Sequence, residues 1–166
     1  MEIERKFLIT VLPENLEEYS FHLLEQAYLC TNPVVRVRRS DDSYSLTYKS
    51  KGLLSREEYN LPLTAESYAH LKSKADGHVI RKKRYLLPLP GDKDQKLTIE
   101  LDVFDAPFLG LYLAEVEFSS EEQALAFVPP AWFGQEVTYS AQYHNSRLSQ
   151  LEDPGKYFSL APPQPL

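Results

Sequence analysis

Seven segments of this chain alternate charged with apolar residues at a period of two, and their polar positions are almost all Lys, Arg, Asp or Glu. In a strand, residues i and i+2 point to the same side. MEIERKF then places Glu2, Glu4 and Lys6 on one face, and VVRVRRS places Arg36 and Arg38 opposite Val35 and Val37. SLTYKSK gives Lys49 and Lys51, and SREEYNL gives Arg56, Glu58 and Asn60. VIRKKRYLL gives Lys82 and Arg84, KLTIELDVF gives Glu100 and Asp102, and LYLAEVEF gives Glu115 and Glu117.

One such strand reads most simply as a solvated outer face. Across seven, two features count against that reading. Ser, Thr and Gln, which ordinary solvent faces use freely, are nearly missing from these positions. The signs are also segregated: 100–117 offers acids, while 36–38, 49–51 and 82–84 offer bases. Like charges this close destabilise a sheet unless opposite charge sits among them. The apolar faces need cover, and amphipathic helices are available to supply it from outside. The charged faces then point inward. The expected fold is α+β and mainly antiparallel β, a closed eight-stranded tunnel barrel with a charged lumen and helices packed outside.

Strands are expected near 2–9, 26–30, 34–40, 43–50, 55–63, 78–87, 96–104 and 111–118, with SDDS at 40–43 and PLPGDKDQ at 88–95 as turns. A helix is expected over 64–77, capped by Thr64 and stopped by Gly77. A second starts at Ser120 and ends before Pro129–Pro130. Weaker helical patterns cover 14–25 and 139–151. Residues 1–152 form one domain, and 153–166 a proline-rich tail lying loosely over it.

At 166 residues the chain can bury roughly two-thirds of its unfolded surface. Its net charge of -6 argues against a nucleic-acid partner, which requires excess positive charge. The single Cys30 forms no internal disulfide, no secretory leader pattern opens the chain, and no apolar run approaches the ~20 residues that cross a bilayer. The expected compartment is the cytoplasm, with no membrane partner and with oligomeric state, a homodimer included, left open.

Seven carboxylates and eight cations cannot be buried dry, so the lumen must be wet and occupied by ions. Clustered acids without His or Cys suit a hard cation such as Mg²⁺ or Mn²⁺. Clustered Arg and Lys suit phosphate oxygens. A polyphosphate chelated to a metal satisfies both.

In this respect the chain resembles the triphosphate tunnel metalloenzymes, or CYTH superfamily, which includes bacterial class IV adenylate cyclases and thiamine triphosphatases. EIERKF at 2–7 matches the family's ExExK signature, followed in order by VRVR, LTYKSKG, SREEYN, RKKRY, IELDVF and EVEF. PPAWFGQEVT at 129–138 is similar to the small bacterial inorganic triphosphatases. The resemblance implies metal ligands at Glu2, Glu4, Asp102, Glu115 and Glu117. It implies phosphate binding by Lys6, Arg36, Arg38, Lys49, Arg56, Lys82 and Arg84, with Glu58 and Glu100 holding the cations in place. Tyr28 falls where such enzymes set a tyrosine beside a lysine, so Tyr28 and Lys82 are expected to form a catalytic pair across the lumen. Two positions depart from the pattern: Ala141 and Gln142 replace a usual basic residue ahead of Tyr143-His144-Asn145, and Asn60 stands where an acid is common.

The implied activity is metal-dependent hydrolysis of a small-molecule triphosphate, foremost inorganic tripolyphosphate. Thiamine triphosphatase, adenylate cyclase and a non-catalytic polyphosphate-binding module are the rivals. His22, His70, His78 and His144 show no metal-ligand spacing and read as surface residues, while Trp132 and Phe133 read as packing. No P-loop or G-x-S-x-G is present.

Overall fold

The alternating segments pair into one antiparallel sheet of nine strands, ordered β5-β1-β9-β8-β7-β2-β3-β4-β6. The strands are β1 (Glu2–Leu8), β2 (Phe21–Thr31), β3 (Val34–Ser40), β4 (Ser43–Lys49), β5 (Ser55–Arg56), β6 (Glu58–Leu63), β7 (Asp76–Pro88), β8 (Thr98–Phe104) and β9 (Tyr112–Glu117). The structure, a computed structural model, describes residues 1–90, 93–94 and 97–158.

The sheet's two ends belong to one stretch of chain. β5 bonds β1 and β6 bonds β4, and only Glu57 lies between them. The expected strand 55–63 is therefore two strands, and its change of partner rolls the sheet into a nearly closed barrel. Glu57 is held outside both ladders: Ser50 donates its N–H to the Glu57 carbonyl at 3.0 Å, and the Glu57 N–H bonds Ser50 Oγ at 2.8 Å. Gly52 makes this crossing possible, because a Cβ there would lie 2.1 Å from the Ser55 carbonyl oxygen.

The outer face carries two apolar clusters. Ile3, Leu87, Ile99, Leu101, Ala114 and Val116 pack with Ala124 of helix α2 (Glu121–Ala126) and with Trp132 and Phe133, so those two aromatics are core. Ala27 and Val37 pack under Tyr68 of helix α1 (Ala65–Lys72). Side chains such as these stabilise by roughly 1.5–3 kcal/mol each when fully buried. A third cluster lies on the inner face. Tyr28, Ile80, Phe104 and Leu113 share the inward parity of the charged positions, and Phe108, Val137 and Leu148 close over them. This apolar plug floors one end of the lumen.

Three local expectations are corrected. Residues 14–25 contain only a 3-10 turn at Leu16–Glu18, and 21–25 begin β2, where pairing with Arg81–Tyr85 outweighs weak helical propensity. Thr64 does cap α1, accepting from the Ser67 N–H, but the helix ends at Lys72. Gly77 instead lies in β7 at φ 70°, where a Cβ would meet the Ser149 carbonyl oxygen at 2.2 Å. The 139–151 region forms a 3-10 turn at Ala141–Tyr143 and the short helix α3 (Asn145–Leu148). Of the expected loose tail, Gly155–Phe158 forms a helical turn, α4, and 159–166 lie outside the described residues, as do parts of the 88–95 turn. Among the described residues, no helix is long and apolar enough to cross a membrane.

Candidate active site

Above the apolar floor the barrel encloses a cavity of ≈ 300 Å³. Six carboxylates line it (Glu2, Glu4, Glu58, Glu100, Glu115, Glu117), as do six cations (Lys6, Arg36, Arg38, Lys49, Arg56, Arg84). Asn60 and Asn145 complete its polar wall. Strand order sets the polarity. Glu4, Glu100, Glu115 and Glu117 stand on the neighbours β1, β9 and β8, while Arg36, Arg38 and Lys49 stand on β3 and β4 across the barrel.

Most of these charges neutralise one another. Lys6 pairs with Glu115 at 3.0 Å. Arg84 bridges Glu100 at 2.6 Å, Asp102 at 2.7 Å and Glu115 at 2.9 Å. Glu2 takes Lys49 at 2.8 Å and Arg56 at 3.2 Å, and Lys49 reaches Glu58 at 3.6 Å. Among the described residues, four charged side chains of the cavity make no ion pair: Arg36, Arg38, Glu4 and Glu117.

The four divide by sign. Arg38 donates from Nε and Nη2 to Gln26 Oε1 at 3.0 and 2.9 Å, which aims its fork without cancelling its charge. Arg36 is 4% exposed, and its Nε is buried with no hydrogen-bond partner. Opposite them, Glu4 and Glu117 face each other in register across the β1–β9 ladder, a spacing of about 4.5–5.5 Å between Cβ atoms. Burial, reinforced by Glu115, raises the pKa of Glu4; burial, reinforced by Glu2 and Glu4, raises that of Glu117. The basic side shows the converse. Burial and the nearby Arg36 lower Lys49 to about 8, and burial with Arg36 and Arg84 lowers Arg38 to about 9.

Three expected site residues stand off the cavity wall. Asp102 is wholly buried and saturated: Arg84 donates to both oxygens, and Lys82 donates to Oδ2 at 2.5 Å. Burial works against its charge, but Arg84 and Lys82 keep its pKa below the ordinary value. Lys82 is 2% exposed, and burial together with Arg84 and Arg38 lowers it to about 8 against the pull of Asp102. Tyr28 lies in the apolar floor, where its hydroxyl meets Gln26 Nε2 at 3.4 Å. Tyr28 and Lys82 do not face each other across the lumen. They stand on adjacent strands, with Lys82 opposite Leu24 and Tyr28 opposite Asp76. Lys51, also expected inside, is exposed beyond the end of β4.

Other residues escaped the sequence reading. Gln26 aims Arg38, and the inward alternation of β2 marks it once that strand begins at 21. Asn145, in the Tyr-x-Asn triplet, is 9% exposed, and its Oδ1 has no partner. His144 is half-buried instead of lying on the surface; burial with Lys6 and Arg56 lowers its imidazole to about 4, leaving it neutral at pH 7. His78 is likewise packed, edge-on to Phe108.

The charged, one-ended barrel matches a known pattern: the CYTH domain aligns with residues 1–150. The chain belongs to the CYTH family. It is 41% identical over 151 residues to an inorganic triphosphatase of Nitrosomonas europaea, covering 89% of this chain and 96% of that protein. A second inorganic triphosphatase, from Acetivibrio thermocellus, is 32% identical over 161 residues, covering 95% and 97%. A solved structure of an inorganic triphosphatase superposes with a TM-score of 0.66 at 37% identity, covering 90% of this CYTH chain and 94% of that one. A Pyrococcus horikoshii protein at 20% identity and TM-score 0.54, covering 74% and 82%, shares the fold.

Proposed function

We propose that this protein hydrolyses inorganic tripolyphosphate to pyrophosphate and orthophosphate, with a divalent cation, Mg²⁺ or Mn²⁺, held at its acidic wall. The observation that carries this reading is the pattern of uncompensated charge: two guanidinium groups on β3 opposite two carboxylates on β1 and β9. A metal–triphosphate complex supplies what each side lacks. The similarity to two inorganic triphosphatases over nearly their whole lengths supports the same substrate.

The residues present fit such a cation. Glu4 and Glu117 are an unpaired, adjacent pair of oxygen donors whose ionised forms burial and neighbouring acids disfavour. Among the described residues, no three acidic, His or Cys side chains converge on one point. Two carboxylates supplemented by substrate phosphate oxygens and water is a common way of holding Mg²⁺. Glu2 and Glu115 stand beside them but are engaged by Lys49, Arg56, Lys6 and Arg84, and Asp102 is fully committed to Arg84 and Lys82. Asp102 thus serves to hold Arg84 at the cavity wall and to neutralise the buried Lys82 behind it.

When bound, the cation draws negative charge off the phosphate oxygens and so lowers the barrier to an incoming nucleophile. Arg36 and Arg38 grip phosphate oxygens, two at a time where geometry allows. Gln26 fixes the plane of the Arg38 fork. Lys49 and Arg56, each restrained by Glu2, add charge beside the same phosphates. Water attacks the terminal phosphorus, the P–O bond to the bridging oxygen breaks, and pyrophosphate leaves. Among the described residues no side chain is placed as a covalent nucleophile, so the protein contributes position and field.

Phosphate release measured on tripolyphosphate, pyrophosphate, thiamine triphosphate and ATP, with Mg²⁺ or Mn²⁺, tests the assignment. Tripolyphosphate is expected to be the best substrate. Release of cyclic AMP as the main product from ATP, or an inert tripolyphosphate, overturns it.

A further inference from the structure

A second cavity, ≈ 550 Å³, adjoins the lumen where the 50–53 loop, the start of β3 and α3 meet. It shares Lys49 and Arg56 with the lumen cavity, so the two meet at these cations. The difference lies in the acids. The lumen cavity has six carboxylates, whereas among the described residues no Asp or Glu lines the second. Its charged side chains are Lys49, Arg56 and Lys51, and Lys51 is exposed and makes no ion pair among the described residues. Ser146 adds a hydroxyl to the lining.

We propose that this cavity is an extension subsite for the distal phosphates of linear polyphosphates longer than three units. The proposal rests on the triphosphatase reading of the lumen. A chain whose reacting end is gripped by Arg36 and Arg38 passes Lys49 and Arg56 and presents its next phosphates to Lys51. Lys49 and Arg56 are turned to Glu2 on the lumen side, so the uncompensated charge facing this space is that of Lys51, which attracts a further anion and repels a positively charged organic group. It also differs from the lumen in having no donor set for a hard metal, so it binds without cleaving. Hydrolysis stays at the lumen end: water adds to the reacting phosphorus, one P–O bond breaks, and tetrapolyphosphate yields orthophosphate and tripolyphosphate.

The test compares kcat/KM for tetrapolyphosphate with kcat/KM for tripolyphosphate in wild type, Lys51→Glu and Ala141→Lys, the last adding a cation at an exposed position on the cavity wall. Lys51→Glu is expected to lower the tetra-to-tri ratio roughly 5- to 10-fold while leaving tripolyphosphate turnover unchanged, and Ala141→Lys to raise it. Titration calorimetry with the same two anions and Mg²⁺ reads the ratio as binding, independently of turnover. An unchanged ratio in both variants overturns the subsite. So does an equal loss on both substrates, which makes Lys51 part of the general field. Failure of wild type to cleave tripolyphosphate overturns the lumen assignment instead, and the calorimetric ratio still decides the subsite.

Discussion

The two halves of the lumen's charge behave differently although they occupy the same barrel. Around Arg84, the Asp102, Glu100, Glu115, Lys6 and Lys82 side chains close into a network in which every charge has a partner within 3.0 Å. A short distance away Arg36, Arg38, Glu4 and Glu117 have no ion-pair partner among the described residues. Buried ion pairs roughly offset their own desolvation, so the first group sets geometry without adding much net stability. The second group has no such offset and costs the empty protein stability until a ligand arrives. Saturation therefore separates scaffold from binding surface better than residue type does.

The largest expected effect breaks the saturated half. Asp102→Asn leaves Lys82 buried without its counter-charge and takes one of three carboxylates from Arg84, and removing one partner of such a network costs about 3–5 kcal/mol. Chemical denaturation should show that loss; a variant as stable as wild type would mean that Asp102 is not the keystone of the network.

Breaking the unsaturated half should do the opposite. Glu117→Gln, and likewise Glu4→Gln, should cut tripolyphosphate turnover by about 10²–10³-fold, as loss of a transition-state charge partner does. The same variants should melt no lower than wild type without metal, because removing one acid from a pair of like charges relieves repulsion. Retained turnover would take that residue out of the metal site.

A pH series sharpens the contrast, and the signs are opposite. Glu4 and Glu117 have raised pKa values in the fold, so the metal-free protein binds their protons more tightly than the unfolded chain does. Their contribution is least unfavourable when protonated, and stability declines as pH climbs from the ordinary carboxylate value through the raised one. Asp102 and Glu115 are depressed, so their contribution is present above the ordinary value and is lost as pH falls through the depressed range. Melts in EDTA between pH 4 and 7 should therefore fall less, or rise more, with increasing pH in the Glu4→Gln/Glu117→Gln double variant than in wild type, over a background to which raised Glu100 contributes in the same sense and lowered His144 in the opposite one. An identical slope would contradict the electrostatic reading.

The smallest effect is expected at Tyr28. Tyr28→Phe removes one weak 3.4 Å contact in the apolar floor, worth under about 1 kcal/mol, and should leave kcat within about twofold. A much larger fall in kcat would restore a chemical role for this tyrosine.

These contrasts also explain what the sequence made legible. Period-two alternation identifies which side of a strand a residue faces, and that was enough for an inward-charged antiparallel barrel and for the walls carrying Glu4, Glu117, Arg36 and Arg38. It carries no information about depth along the barrel axis. Tyr28 and Asp102 share parity with the lumen charges, yet one lies in the floor and the other beneath Arg84. Nor does it reveal how the expected barrel closes, since the split at Glu57 arises from two different partners competing for one stretch of chain. Gln26 was overlooked because a neutral amide interrupts a pattern defined by charge, and Asn145, seen only as part of a triplet, lies on α3 outside any alternating strand. Their roles depend on neighbours brought in by β3 and α3.

The central claim is that the four unpaired charges await a metal–triphosphate complex, and thermal melting tests it most directly. With Mg²⁺ and a non-hydrolysable imido analogue of tripolyphosphate at about 100 times Kd, mass action adds ~2.7 kcal/mol, roughly 5–10 °C for a chain of this size. The account predicts that shift in wild type, only a small fraction of it with either component alone, and its loss in Arg36→Ala and Glu117→Gln. A wild-type melt that coincides with the ligand-free melt would contradict it.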